Sequence, residues 1–148
     1  MIVFLTQHKE LMESLVDCLE KEKHALIKED AQSLLEIVEE KKHYINTLDN
    51  LELKRKEMFP DLNINKLEEA GLLNDELKVL ADELRSLVEK ISQLQETNQF
   101  LTQQSLEYSQ QMISILRGNN KQNTPSYGAN GKIENNSGKG NSVLDQSI

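Results

Sequence analysis

The chain has 148 residues, of which 37% are hydrophobic and only 4% aromatic, with no tryptophan and two prolines. That is thin material for a compact globular core, and β-branched strand formers are sparse, so the composition points away from a sheet protein. Asp and Glu number 25 against 17 Lys and Arg, a formal net charge of -8, and such a chain repels nucleic acid and anionic membrane surfaces. The densest basic run, Lys54-Arg55-Lys56, is flanked by Glu52 and Glu57 and forms no basic patch.

Cys18 is the single cysteine, which excludes an intrachain disulfide and suits a reducing compartment. The opening run Met1-Ile2-Val3-Phe4-Leu5 is too short for a signal peptide, and no apolar stretch is long enough to span a bilayer. The expected address is the cytoplasm.

In chain order, the first predicted element is a long helix over about 3–57, because neither Gly nor Pro occurs between Val3 and Glu57. Its apolar stripe runs Leu5, Met12, Leu15, Leu19, Leu26 and then shifts by one residue to Ile27, Ala31, Leu34, Val38, Ile45, Leu48. A shift of this kind either keeps one face inward or marks a bend. Pro60 ends the helix near Met58. A short helix over 65–71 follows, with Asn65 as its N-cap and Gly71 as its left-handed stop. From Leu72 to Arg117 there is again neither Gly nor Pro, so the second long helix covers 72–117.

That second helix carries the clearest pattern. Steps of four and three from Leu73 reach Leu77, Leu80, Leu84, Leu87, Ile91, Leu94, Asn98, Leu101, Ser105, Tyr108, Met112 and Ile115, a coiled-coil seam with two polar members. A short connection makes the long helices antiparallel neighbours. The expected fold is therefore all-α: a long antiparallel helical hairpin or coiled coil, with a short connecting helix, over residues 1–117. Residues 118–148 contain five of the six glycines and seven asparagines, and read as a flexible C-terminal tail.

No catalytic chemistry assembles. His8, His24 and His43 lie 16 and 19 residues apart with no second ligand at metal spacing, so neither a metal nor a cofactor is expected. Cys18, beside the first stripe, reads as a small buried hydrophobe. There is no glycine-rich phosphate loop, nucleophile elbow or paired-carboxylate pocket, and a two-helix rod offers no concave substrate cavity. The chain does not read as an enzyme. The runs Glu20-Lys21-Glu22-Lys23 and Glu39-Glu40-Lys41-Lys42 read as solvated helix faces.

Residues 97–116 differ in kind, since Glu107 is their one charged side chain. Beside the seam, Leu106, Ile113 and Leu116 recur at steps of seven and three on an adjoining face. Few charges, abundant amides and apolar side chains on two faces describe a surface that meets a second protein. Asn98 has a structural reading as well: a polar residue at a seam position fixes register at a cost in stability.

Several segments together resemble one known family. They are Ala25-Leu26-Ile27-Lys28-Glu29-Asp30-Ala31-Gln32-Ser33-Leu34, then Glu39-Glu40-Lys41-Lys42 and Lys54-Arg55, then Leu94-Gln95-Glu96-Thr97-Asn98-Gln99 with Leu106. The tail adds Tyr127-Gly128-Ala129-Asn130-Gly131 and Ser142-Val143-Leu144-Asp145. In order and spacing the chain resembles the FlgN family of flagellar export chaperones over nearly its whole length. The resemblance implies a protein that binds the helical terminal region of hook–filament junction proteins in the cytoplasm and delivers them to the flagellar type III export apparatus. On that basis Leu101, Leu106, Tyr108, Met112, Ile113 and Leu116 are the expected cargo contacts, and Tyr127 the expected docking residue for the export gate. The rival reading is a structural coiled-coil scaffold that self-assembles through the Leu73–Ile115 seam.

Overall fold

The computed structural model describes residues 1–122, with side chains to Gly118. Four helices follow one another: α1 (Ile2–Lys28), α2 (Ala31–Met58), α3 (Ile64–Glu69) and α4 (Asp75–Gln122). The expected all-α fold is present, and no strand occurs among the described residues. The chain divides into two compact units, Met1–Ser105 and Leu106–Ile148.

The largest departure from the sequence reading is at Glu29-Asp30. The single helix expected over 3–57 is two helices folded back on each other, joined by two residues. Glu29 takes the left-handed conformation (φ 56°), with its N–H donating to the Leu26 carbonyl, and the Asp30 N–H donates to the Ala25 carbonyl. This is a Schellman ending made without glycine. A non-glycine residue in that region costs roughly 1–2 kcal/mol. Asp30 then opens α2: one carboxylate oxygen accepts the Ser33 N–H (3.1 Å) and the other accepts the Ser33 hydroxyl (2.6 Å). The stripe shift at Leu26-Ile27, three residues before the turn, was its trace in the sequence.

The remaining boundaries move less. α2 ends at Met58, beside Phe59-Pro60, as the proline dictates. α3 runs Ile64–Glu69 rather than 65–71, because Asn63 and not Asn65 caps it, accepting the Lys66 N–H at 3.2 Å. Gly71 does end it in the left-handed region (φ 68°). The second long helix begins at Asp75 rather than Leu72, since the Asn74 side chain accepts the Leu77 N–H at 2.8 Å, and it continues past residue 117 to Gln122.

Within Met1–Ser105 the helices pack by their apolar stripes. α2 lies antiparallel on α1: Phe4 meets Phe59 edge-on at 6.4 Å at one end, and Lys41 donates to Glu22 at 2.7 Å towards the other. α4 runs parallel to α1. Leu5 packs with Leu73, Leu77 and Leu80, Lys9 donates to Glu83 at 2.7 Å, and Leu15, Val16 and Leu19 pack with Leu94. Tyr44, Ile45 and Leu48 of α2 close over that second cluster. α1 is thus the central element, with nine buried residues, whereas α2 buries none of its own completely. Arg55 pins the loop after α2 through Glu52 and the Leu62 carbonyl, and Arg85 ties α3 to α4 through Asn65 and Glu68.

His8, half-buried on α1, faces Glu52 and Arg55 of α2. Burial holds its pKa below the usual 6.5; Arg55 adds to the shift and Glu52 opposes it. The folded state therefore prefers the neutral ring. The stability this contributes is complete above the ordinary value and is lost as pH falls through it towards the lower folded value. Thermal unfolding measured from about pH 7 down to about pH 5 should show a fall in Tm that His8→Gln removes. An equal fall in the variant would assign the effect to other groups.

Candidate functional site

The seam of α4 meets two different fates. In the Met1–Ser105 unit, a three-helix unit if only the long helices are counted, Leu73, Leu77, Leu80, Leu94 and Asn98 are buried, and Leu84, Leu87, Ile91 and Leu101 are half-buried. Its continuation in Leu106–Ile148 is exposed: Tyr108 is 59% accessible, Met112 43% and Ile115 57%.

The second unit, described by itself, is helical through Gln122 and shows two adjoining apolar stripes. Tyr108, Met112 and Ile115 form one; Leu106, Ile113 and Leu116 form the other, with Ile113 45% and Leu116 61% accessible and Leu106 half-buried. Five of the expected cargo contacts thus share one stretch of helix. Leu101, the sixth, belongs to the three-helix unit and is half-buried. Tyr127 lies outside the described residues.

The buried end of the seam is polar. Asn98, 4% accessible, donates through Nδ2 to the Leu19 carbonyl (3.0 Å) and to Glu22 Oε2 (2.9 Å), and Glu22 Oε1 accepts from Lys41 Nζ. One residue from each long helix meets here. Two solvated-face readings are corrected: Glu22 is 6% accessible, and Lys41 is half-buried against it. The signal was available, because Met12, Leu15, Leu19, Glu22 and Leu26 follow steps of three and four, so Glu22 occupies a seam position. Asn98 matches it on α4, and the pair sets register, since any slip would leave a buried carboxylate without its donors. Asn98 Oδ1 is buried without a partner.

Cys18 is 1% accessible, with Sγ 3.6 Å from the Ile37 carbonyl, and burial raises its thiol pKa, so it is a core side chain. The expectation of no concavity is corrected: an open groove of about 590 Å³ lies among Leu5, Leu62, Ile64, Ala81 and Leu84. Its rim arginines, Arg55 and Arg85, are engaged with Glu52 and with Glu68 and Asp82. No group of three or more His, Cys, Asp or Glu side chains among the described residues is placed to hold a metal. No described helix is long and apolar enough to cross a membrane.

Residues 106–116 leave five large side chains of one helix accessible (Tyr108, Met112, Ile113, Ile115 and Leu116) beside a single charge, Glu107, and a surface of that kind marks the class of proteins that bind other proteins. The family model described as FlgN protein matches residues 1–135, so the chain belongs to the FlgN family, a family of flagellar export chaperones that bind export substrates. No curated protein and no solved structure matches the chain.

Proposed function

We propose that this chaperone takes up the helical terminal region of a hook–filament junction protein in the cytoplasm and delivers it to the type III export gate. The cargo helix lies along Leu106, Tyr108, Met112, Ile113 and Leu116, with Leu101 as a further contact. The observation that carries this reading is the accessible apolar pair of stripes on α4, in a member of a chaperone family. An amphipathic cargo helix left free would self-associate, and sequestering its apolar face lowers the free concentration.

The expected strength follows from the same side chains. Complete burial of a large apolar side chain contributes roughly 1.5–3 kcal/mol, and about half of that is still available at these exposures. Five such residues and their counterparts on cargo give on the order of 10 kcal/mol before association costs. Association costs of at least about 4 kcal/mol come off that sum and leave a reversible complex, which suits one that must come apart at the export gate.

The test is the light-scattering mass of the chain at low micromolar concentration, alone and mixed with the C-terminal segment of a hook–filament junction protein. A free mass near 17.0 kDa that rises to a one-to-one complex supports the proposal. A stable oligomer indifferent to that segment replaces it with the scaffold reading.

A further inference from the structure

The open groove on the Met1–Ser105 unit is apolar inside and acidic around its edge. Leu5 and Ala81, both buried, form its floor, and the half-buried Leu62, Ile64 and Leu84 stand around them. Val88 extends it along α4 as an apolar side chain that is 56% accessible. Ala81 is the one small side chain among these six, and it leaves the depression beside the cluster in which Leu5, Ile64 and Leu84 pack. An open groove of about 590 Å³ suits side chains presented by a partner, since a small molecule needs most of its own surface covered.

Two arginines line the groove, yet neither offers a free charge. Arg55 donates twice to Glu52 (2.8 and 2.7 Å) and once to the Leu62 carbonyl (2.9 Å). Arg85 is shared between Glu68 and Asp82. With the exposed Glu89, the lining and its bonded partners carry four carboxylates against two guanidiniums. That edge repels an anion. It also disfavours a second copy of this chain, whose net charge is -8. The complementary occupant is apolar at its centre and cationic at its edges.

The backbone decides the occupant's form. The described elements are all helices, so the groove has no open strand edge, and a partner must satisfy its own backbone hydrogen bonds, as a helix does. From Ala81 to Val88 the groove follows α4 for two turns, about 10 Å at 1.5 Å per residue. Two apolar side chains one turn apart, at i and i+4, fit that length. We infer that this groove docks a cationic amphipathic helix of a partner protein, with two large apolar side chains seated between Ala81 and Val88 and Lys or Arg beside them facing Glu89, Glu68 and Asp82. The site shares no residue with the proposed cargo contacts.

The probe is a pair of fluorescein-labelled synthetic helices with leucine at i and i+4, flanked by lysine in one and by glutamate in the other. Fluorescence anisotropy reads their binding to the full chain carrying Ile113→Asp and Leu116→Asp, so that the cargo stretch does not contribute. The lysine peptide should bind at least about tenfold more tightly than the glutamate peptide. Val88→Lys places a charge in the groove wall and should weaken the lysine peptide at least about tenfold. Val79→Lys makes the same charge change on α4 outside the groove, at a side chain that is 59% accessible, and should weaken it less than about twofold. Circular dichroism checks that both variants remain helical. Equal affinity for the two peptides overturns the inference. So does an equal loss from Val79→Lys and Val88→Lys, which would reduce the attraction to net charge, or no binding of the lysine peptide up to about 1 mM.

Discussion

Ile113→Asp combined with Leu116→Asp should abolish capture of the junction-protein segment while leaving the helical content of the protein unchanged. Both side chains are accessible, at 45% and 61%, so neither supports the core, and their removal opens no cavity. Aspartate is less favourable than leucine in a helix interior by roughly 0.5 kcal/mol, a small burden on a helix of 48 residues. At a contact with an apolar cargo face the effect is of another order. Two carboxylates would have to lose water without a counter-charge, at a cost of several kcal/mol, which exceeds a hundredfold loss of affinity. Val79→Asp, equally exposed on α4 but within the three-helix unit, is the control and should bind as the parent does. Capture that survives the double substitution would remove this surface as the cargo site.

The largest loss of stability is expected at Leu19. It is fully buried, packs with Leu15, Val16 and Leu94, and has Tyr44, Ile45 and Leu48 of α2 over it. Leu19→Ala empties a site where all three long helices meet, and a deletion of this kind costs about 2–5 kcal/mol. Small domains are stable by only about 5–15 kcal/mol, so the urea midpoint should fall substantially at an unchanged slope. Leu35→Ala, on an α2 side chain that is 72% accessible, should change stability by less than about 0.5 kcal/mol. A Leu19→Ala cost as small as that would mean the cluster is not the centre of the unit.

Asn98 and Glu22 show how far a seam can be read in one dimension. The step pattern placed Asn98 at a polar seam position and allowed it a register role. The same pattern on the first helix contains Glu22 between Leu19 and Leu26, yet the neighbouring Lys21 and Lys23 made it look solvated. Pairing two polar seam positions on different helices requires knowing which stretches lie opposite, and that depends on the turn at Glu29-Asp30. The partner of Lys41 was hidden for the same reason: Glu22 and Lys41 are 19 residues apart and meet only once the chain doubles back.

By itself the sequence determined the helical character, the stop at Met58 before Pro60, the left-handed ending at Gly71, and the apolar seam of α4 with its charge-poor distal stretch. These are local properties, set by backbone propensity, by proline and glycine geometry, and by side-chain spacing within one helix. Tertiary structure decided where the first helical stretch folds and which part of the seam is buried. Glu29 adopts its left-handed turn against local preference because folding α1 and α2 together lets Tyr44, Ile45 and Leu48 close over Leu15, Val16 and Leu19. That gain comes from contacts between residues 25 or more apart, which no local pattern encodes. Within the first unit Leu94 is buried against Leu15, Val16 and Leu19, while in the second Tyr108, Met112 and Ile115 of the same sequence stripe are accessible, a difference that the stripe itself does not carry.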